Sequence, residues 1–215
     1  MHNASNVPLP THEYWIRQAM QTLHENISPC PFEYFGAVVV NHTASSSLGD
    51  LVCTGINTVS STGNPILHGE TAALNNCTAI LTDPEGHFKL SPAEALLAYR
   101  DLTLYTTSEP CPMCASAIRF AGFKECVYAT NITARMAHGW PHPNLLCHEV
   151  FERVGTLPTR TSLIRNVLTN ETDPYLLWQF DQSYPCPDQC ERNGSNGHCV
   201  PMGSLEYVQE LKSEL

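Results

Sequence analysis

Two stretches, Ile66-Leu67-His68-Gly69-Glu70-Thr71-Ala72-Ala73 and Ser108-Glu109-Pro110-Cys111-Pro112-Met113-Cys114, decide how the rest of the chain is read. Together they spell H-x-E followed by P-C-x-x-C. One imidazole nitrogen and two thiolates suit Zn²⁺, and three protein ligands leave the fourth tetrahedral position for water. A structural site would supply a fourth protein ligand. Here the residue two past His68 is Glu70, a carboxylate suited to moving the protons of a water. His68, Cys111 and Cys114 are therefore the expected zinc ligands and Glu70 the expected acid/base.

The flanking sequence places both halves of the motif at helix starts. A helix is expected over residues 68–81, with Ala73, Leu74, Cys77 and Ile80 as its buried face, after a polar loop over 58–65. Pro112 opens a second helix over 112–121 that carries Cys111 and Cys114 at its positive end, where thiolates are favoured. Strands are expected over 102–106 and 125–130, and Ser91 with Glu94 forms a capping box ahead of a short helix over 92–100. Upstream, the apolar runs 35–40 and 51–57 read as a hairpin around the polar segment 41–50. Before them Ile16, Ala19, Met20, Leu23 and Ile27 recur at helical spacing over 12–27, with Thr11 as cap. The β, α, β, α, β order implies a three-layer α/β/α sandwich about a central mixed sheet.

With these residues in view, the chain resembles the cytidine deaminase superfamily, whose zinc signature uses the Glu as acid/base and not as a ligand. Leu104-Tyr105-Thr106-Thr107 before Glu109-Pro110-Cys111-Pro112-Met113-Cys114, then Ala117-Ile118, looks like the guanine deaminase and tRNA adenosine deaminase branch. Leu67-His68-Gly69-Glu70 with Asn76-Cys77 looks more like fungal cytosine deaminase. The resemblance implies one bound zinc, a homodimer, and a substrate base hydrogen-bonded by Asn57; an Asn there also suits a turn.

Past Thr130 the likeness thins. Residues 131–147 have no clear period and suit a loop over the pocket mouth. Trp140 and His142 are the candidates there for stacking on a flat ring, although Trp140 could equally plug the core. A strand is expected over 162–168, and Asp173-Pro174 can cap a short helix. We divide the chain into a lead (1–11), a zinc deaminase domain (12–180) and a cystine-rich extension (181–215) that ends in a possible helix over 205–211.

Composition sets the outer limits. At 215 residues with formal charge −10, and with 11 Lys and Arg against 21 acidic residues, the chain offers a polyanion little to hold. No apolar run approaches the roughly 18 residues of a membrane helix. Seven of the 14 Asn, at positions 3, 26, 41, 76, 131, 170 and 193, lie in N-x-S/T sequons, where chance gives roughly two. Asn76, following a buried helix face, is expected to stay unmodified. Setting aside Cys111 and Cys114 leaves eight of the ten Cys, an even set for four bridges. These features lead us to expect a mature secreted form; a cytoplasmic protein with free thiols is the alternative. Lys212-Ser213-Glu214-Leu215 loosely resembles an ER-retention signal. Cys186, Cys190 and His198-Cys199 could imitate a second zinc site, but a secretory setting favours bridges.

The expected function is zinc-dependent hydrolytic deamination of a free nucleobase, nucleoside or related small heterocyclic amine, with no nucleic-acid or membrane partner. The alternatives are a nucleic-acid deaminase of the tRNA type and an inactive secreted zinc-binding glycoprotein.

Overall fold

The structure, a computed structural model, describes residues 5–26, 28–43, 46–194 and 197–203. Helix α1 spans Leu9–Asn26 and buries Thr11, His12, Trp15, Ile16, Ala19, Met20 and Leu23. It begins ahead of the expected cap, because the Pro8 carbonyl accepts the N–H groups of Thr11 and His12 at 3.0 and 3.2 Å. Thr11 is thus an interior helix residue. The hairpin forms as expected from β1 (Gly36–Asn41) and β2 (Asp50–Ile56). One turn of helix, α2 (Val59–Thr62), interrupts the loop before α3 (Gly69–Thr82). Then come α4 (Pro92–Ala98), with its Ser91/Glu94 capping box, β3 (Leu102–Ser108), α5 (Pro112–Ala121) and β4 (Glu125–Thr130).

The main sheet has the order β2-β1-β3-β4, with β5 (Ser162–Ile164) on the outer edge of β4. Strand β1 is antiparallel to both β2 and β3, whereas β3, β4 and β5 are mutually parallel. Being antiparallel to the same strand, β2 and β3 point the same way. Their carboxyl ends therefore share one rim of the sheet, and the helices that follow them, α3 and α5, both start there. In open α/β sheets such a rim is where ligands bind.

Alternation along the strands splits the core into two layers. Val38, Val40, Tyr105, Val127 and Ala129 pack on one face with the α1 residues Trp15, Ile16, Ala19 and Leu23. Ala37, Val39, Leu104 and Cys126 face the other way, onto Ala73, Cys77, Leu81, Ala95 and Ile118 of α3, α4 and α5. A register shift between Val39 and Val40 lies in the β1–β2 ladder. The result is the expected α/β/α sandwich.

The carboxyl-terminal third differs from expectation. Residues 131–147 are not all loop: α6 (Ile132–Ala137) forms after an Asn131 cap, and α7 (Cys147–Arg153) follows the coil. Strand β5 stops at Ile164 because Asn166 and Leu168 take left-handed backbone angles, φ 59° and 63°, that a strand cannot hold. Helix α8 (Thr169–Leu176) starts at Thr169, so Asp173-Pro174 lies inside it and does not cap it. The strands β6 (Cys190–Arg192) and β7 (Cys199–Pro201) pair in a small separate ribbon.

Three bridges form, Cys30–Cys190, Cys53–Cys77 and Cys186–Cys199, in place of the four expected. Cys126 and Cys147 remain buried thiols, each pushed up by burial. Cys186, Cys190 and Cys199 are consumed in bridges and cannot form a second zinc site. Asn3, Ile27, the 205–211 helix and Lys212 to Leu215 fall outside the described residues.

Candidate active site

Each functional side chain sits where a strand hands over to a helix. His68 is the N-cap of α3 with φ −69° and ψ 164°, and its imidazole makes no capping hydrogen bond, so the ring is free to turn inward. Cys111 takes the same role for α5, with φ −62° and ψ 165°, and Cys114 lies one turn on, fully buried. The Nδ1 or Nε2 of His68 and the Sγ atoms of Cys111 and Cys114 fall within 4.8 Å of one another, with Cys111 Sγ 3.5 Å from His68 Nδ1. Zn–S bonds of about 2.3 Å and a Zn–N bond of about 2.0 Å at tetrahedral angles put sulfur and nitrogen about 3.5 Å apart. The donor set fits zinc in type and in spacing. Hydrogen bonding from Cys114, and then from His68, holds the Cys111 thiol down at about 4, whereas the same Cys111 contact and burial push Cys114 up.

Glu70 lies in the first turn of α3 and is 5 % exposed. Thr106 Oγ1, on β3, donates to its Oε1 at 3.4 Å. Burial first, then the neighbouring Cys111, raises the carboxyl above its usual range. A carboxylate with little solvent and a raised affinity for protons is what an acid/base needs near neutral pH. Glycine permits this proximity: a Cβ on Gly69 would stand 2.6 Å from the Phe35 carbonyl.

The expected substrate contacts separate. Asn57 follows β2 at the same rim, and its backbone N–H donates to the Phe35 carbonyl at 2.9 Å. Its side chain is engaged, with Oδ1 accepting from Val59 N–H at 2.9 Å and Nδ2 donating to Glu33 Oε2 at 3.4 Å. The ring of Trp140 is 5.5 Å from Phe35, edge to face, and 4.6 Å from Phe180, and its indole N–H donates to Leu176 O at 2.9 Å. His142 Nδ1 meets Pro143 O at 2.9 Å, and its buried Nε2 has no partner among the described residues. No contact among those residues joins His142 to the zinc donors.

Sequence reasoning missed Glu109 and Arg135. The buried Glu109 carboxylate accepts the N–H of Ile132 and of Cys147, each at 2.9 Å, and so ties the starts of α6 and α7 to the turn that carries Cys111. Arg135 donates to the Glu109 carbonyl at 3.3 Å and lies over the rings of Phe35 and Trp140, at 5.2 and 5.5 Å. An arginine set among Ile132, Ala134, Met136 and Ala137 was the available signal. A separate cleft of about 280 Å³, lined by Glu109, Tyr128, Asn131, His148 and Arg165 among others, contains none of the zinc donors.

Residues 9–130 match the cytidine and deoxycytidylate deaminase zinc-binding region, and the chain belongs to that family. The match covers both halves of the zinc motif. Among curated relatives, the guanine deaminase of Bacillus subtilis is 30% identical over 122 residues, 57% of this chain and 66% of its own length. The cytosine deaminase of Candida albicans is 39% identical over 67 residues, 31% of this chain and 35% of its own. A tRNA-specific adenosine deaminase of Streptococcus pyogenes is 25% identical over 118 residues, 55% of this chain and 62% of its own. The chain thus spans less than two thirds of each of these relatives. The solved guanine deaminase of Nitrosomonas europaea shares the fold with a TM-score of 0.52 at 18% identity, over 81% of this chain and 85% of that one.

Proposed function

We propose that the protein hydrolyses the exocyclic amine of a small heterocycle, a free nucleobase or nucleoside, to a carbonyl with release of ammonia. One observation carries this reading: a buried carboxylate, Glu70, lies two residues from His68 in the first turn of the helix that brings that ligand to Cys111 and Cys114. Zinc held by these three residues supplies a Lewis acid that lowers the pKa of a water from near 16 towards about 7. Glu70 accepts one proton of the attacking water and passes it to the ring nitrogen, then takes the second from the added hydroxyl as the carbonyl forms and passes it to the amine, which departs as ammonia. Addition to an aromatic carbon breaks ring conjugation, so the acid that protonates the ring nitrogen in the same step lowers the barrier. Thr106 holds Glu70 in place, and burial keeps competing water from it.

The test pairs elemental analysis with ammonia release. Glu70→Ala is expected to retain one zinc per chain while turnover falls about 10²- to 10⁴-fold, the usual contribution of a positioned acid/base. Zinc lost along with Glu70, or activity kept without it, sinks the role. The panel is adenine, guanine, cytosine, their nucleosides, tRNA and single-stranded DNA at low and moderate salt. The tRNA-acting relative favours a polymer substrate, but the net charge of −10 opposes phosphate binding. Salt-sensitive deamination of a polymer with no turnover of any free base or nucleoside reverses the choice. Maturation in the secretory pathway, with glycans on exposed sequons such as Asn26 and Asn170, belongs to the same reading and is supported by the three bridges. A homodimer is also part of it.

A further inference from the structure

Two arginines are buried in this fold, and they are treated differently. Arg119, 3 % exposed, is paired at both ends of its fork: Nη1 donates to Thr161 Oγ1 at 2.8 Å and Nη2 to Thr159 O at 2.7 Å. Among the described residues Arg135, 4 % exposed, makes one hydrogen bond, from Nη2 to the Glu109 carbonyl, and its Nε is buried without a partner. A buried guanidinium with an idle donor is costly, and folded proteins rarely leave one so without a use for it. Burial brings its pKa down to about 10, so it still carries its charge at neutral pH.

Its neighbours locate it. The Glu109 carbonyl that it contacts is two residues ahead of Cys111. The Phe35 ring beneath it belongs to the residue whose carbonyl accepts the Asn57 N–H and abuts Gly69, between His68 and Glu70. The side chain thus bridges the cysteine-bearing and the histidine-bearing sides of the site, with the Trp140 ring beside it. Both aromatic contacts are cation–π in kind and use none of the guanidinium's N–H donors.

Resting on the deaminase reading above, we infer that Arg135 is a specificity-determining residue that donates to a ring oxo group of the substrate, so the preferred heterocycle carries a carbonyl oxygen as well as the reacting amine. A guanidinium has donors only and rewards acceptors. Guanine and cytosine offer a ring oxo group; adenine offers ring nitrogens alone. A hydrogen bond between a charged donor and a carbonyl is worth about 10- to 150-fold in affinity.

Matched pairs that differ in the oxo group and the ring N–H that accompanies it test this: guanine against 2-aminopurine, and cytosine against 4-aminopyrimidine. Ammonia release by the zinc-loaded full chain and calorimetric binding to its Glu70→Ala variant are both measured. In one pair the oxo member is expected to be preferred about 10- to 150-fold. Arg135→Met should erase that preference, weakening the oxo member at least about tenfold more than its oxo-free partner, with zinc content unchanged, so that the two losses are coupled and not additive. Arg135→Lys, which keeps charge but not the fork, should recover part of it. A merely structural Arg135 would weaken both members of a pair equally. Equal weakening, or a wild type that binds neither oxo base better than its partner, overturns the inference. If no heterocycle releases ammonia while the binding preference follows Arg135, the deaminase reading fails and this one stands.

Discussion

Gly55 sets how closely α3 approaches the sheet. A Cβ there would lie 2.2 Å from Ala73 N and 2.5 Å from Gly69 O, and both are backbone atoms that cannot swing aside. Because α3 carries His68 at its cap and Glu70 in its first turn, pushing it outward moves both against cysteines that stay on α5. Gly55→Ala is expected to cost about 1–3 kcal/mol, the usual range for overpacking, and to weaken zinc retention. Thermal melts and release of zinc to a chelator measure the two effects. Wild-type values in both would mean that the helix can retreat harmlessly. At this scale the ligand set was legible because His68 and Glu70 are near neighbours in the chain, as are Cys111 and Cys114. The roles of Arg135 and Glu109 were not, since their contacts arise through packing that no local spacing encodes.

Among the elements, those with a local cause were read well. The Ser91/Glu94 box, Pro112 and the apolar, β-branched run of β1 each act within a few residues, and each element formed where its signal lay. The misplacements in β5 and α8 trace to the left-handed Asn166 and Leu168, which end one element and admit the next. Bridge partners were also hidden, because Cys30 and Cys190 are 160 residues apart and meet only in the folded chain. That bridge holds the β6–β7 ribbon to the segment after α1, packed with Trp178 in a cluster that includes none of the zinc donors. Replacing Cys30 and Cys190 together by Ser is expected to cost about 2–5 kcal/mol with zinc content unchanged. Denaturant melts and elemental analysis check this. Non-reducing peptide mapping should find three bridges, with Cys126 and Cys147 alkylated only after unfolding. A Cys126–Cys147 bridge would contradict the structure.

For the molecule as a whole, acid is the expected weakness. His12 is buried, with Nδ1 at 3.0 Å from the Tyr105 hydroxyl, and His42 Nε2 meets the same hydroxyl at 2.8 Å. Burial lowers His12 from 6.5 to about 4 and lowers His42 as well. The unfolded chain therefore takes up these protons first. The stability held by the neutral rings is fully present above about pH 6.5 and is lost as the pH falls towards about 4. Melting temperature should drop through that window and drop less in a His12→Gln variant, which can still hydrogen-bond Tyr105. Equal slopes for the two proteins would remove His12 from the account.

The direction of the strands gives the molecule a front and a back. Phe35 and Asn57 flank the β1–β2 hairpin at the rim where α3 and α5 begin, so its far end, where Asn41 pairs with Asp50, lies at the opposite rim. Anything the cell or an experimenter hangs on that end is carried at the rear. A sugar on Asn41, an inserted tag or a link to a solid support would leave the mouth facing outward.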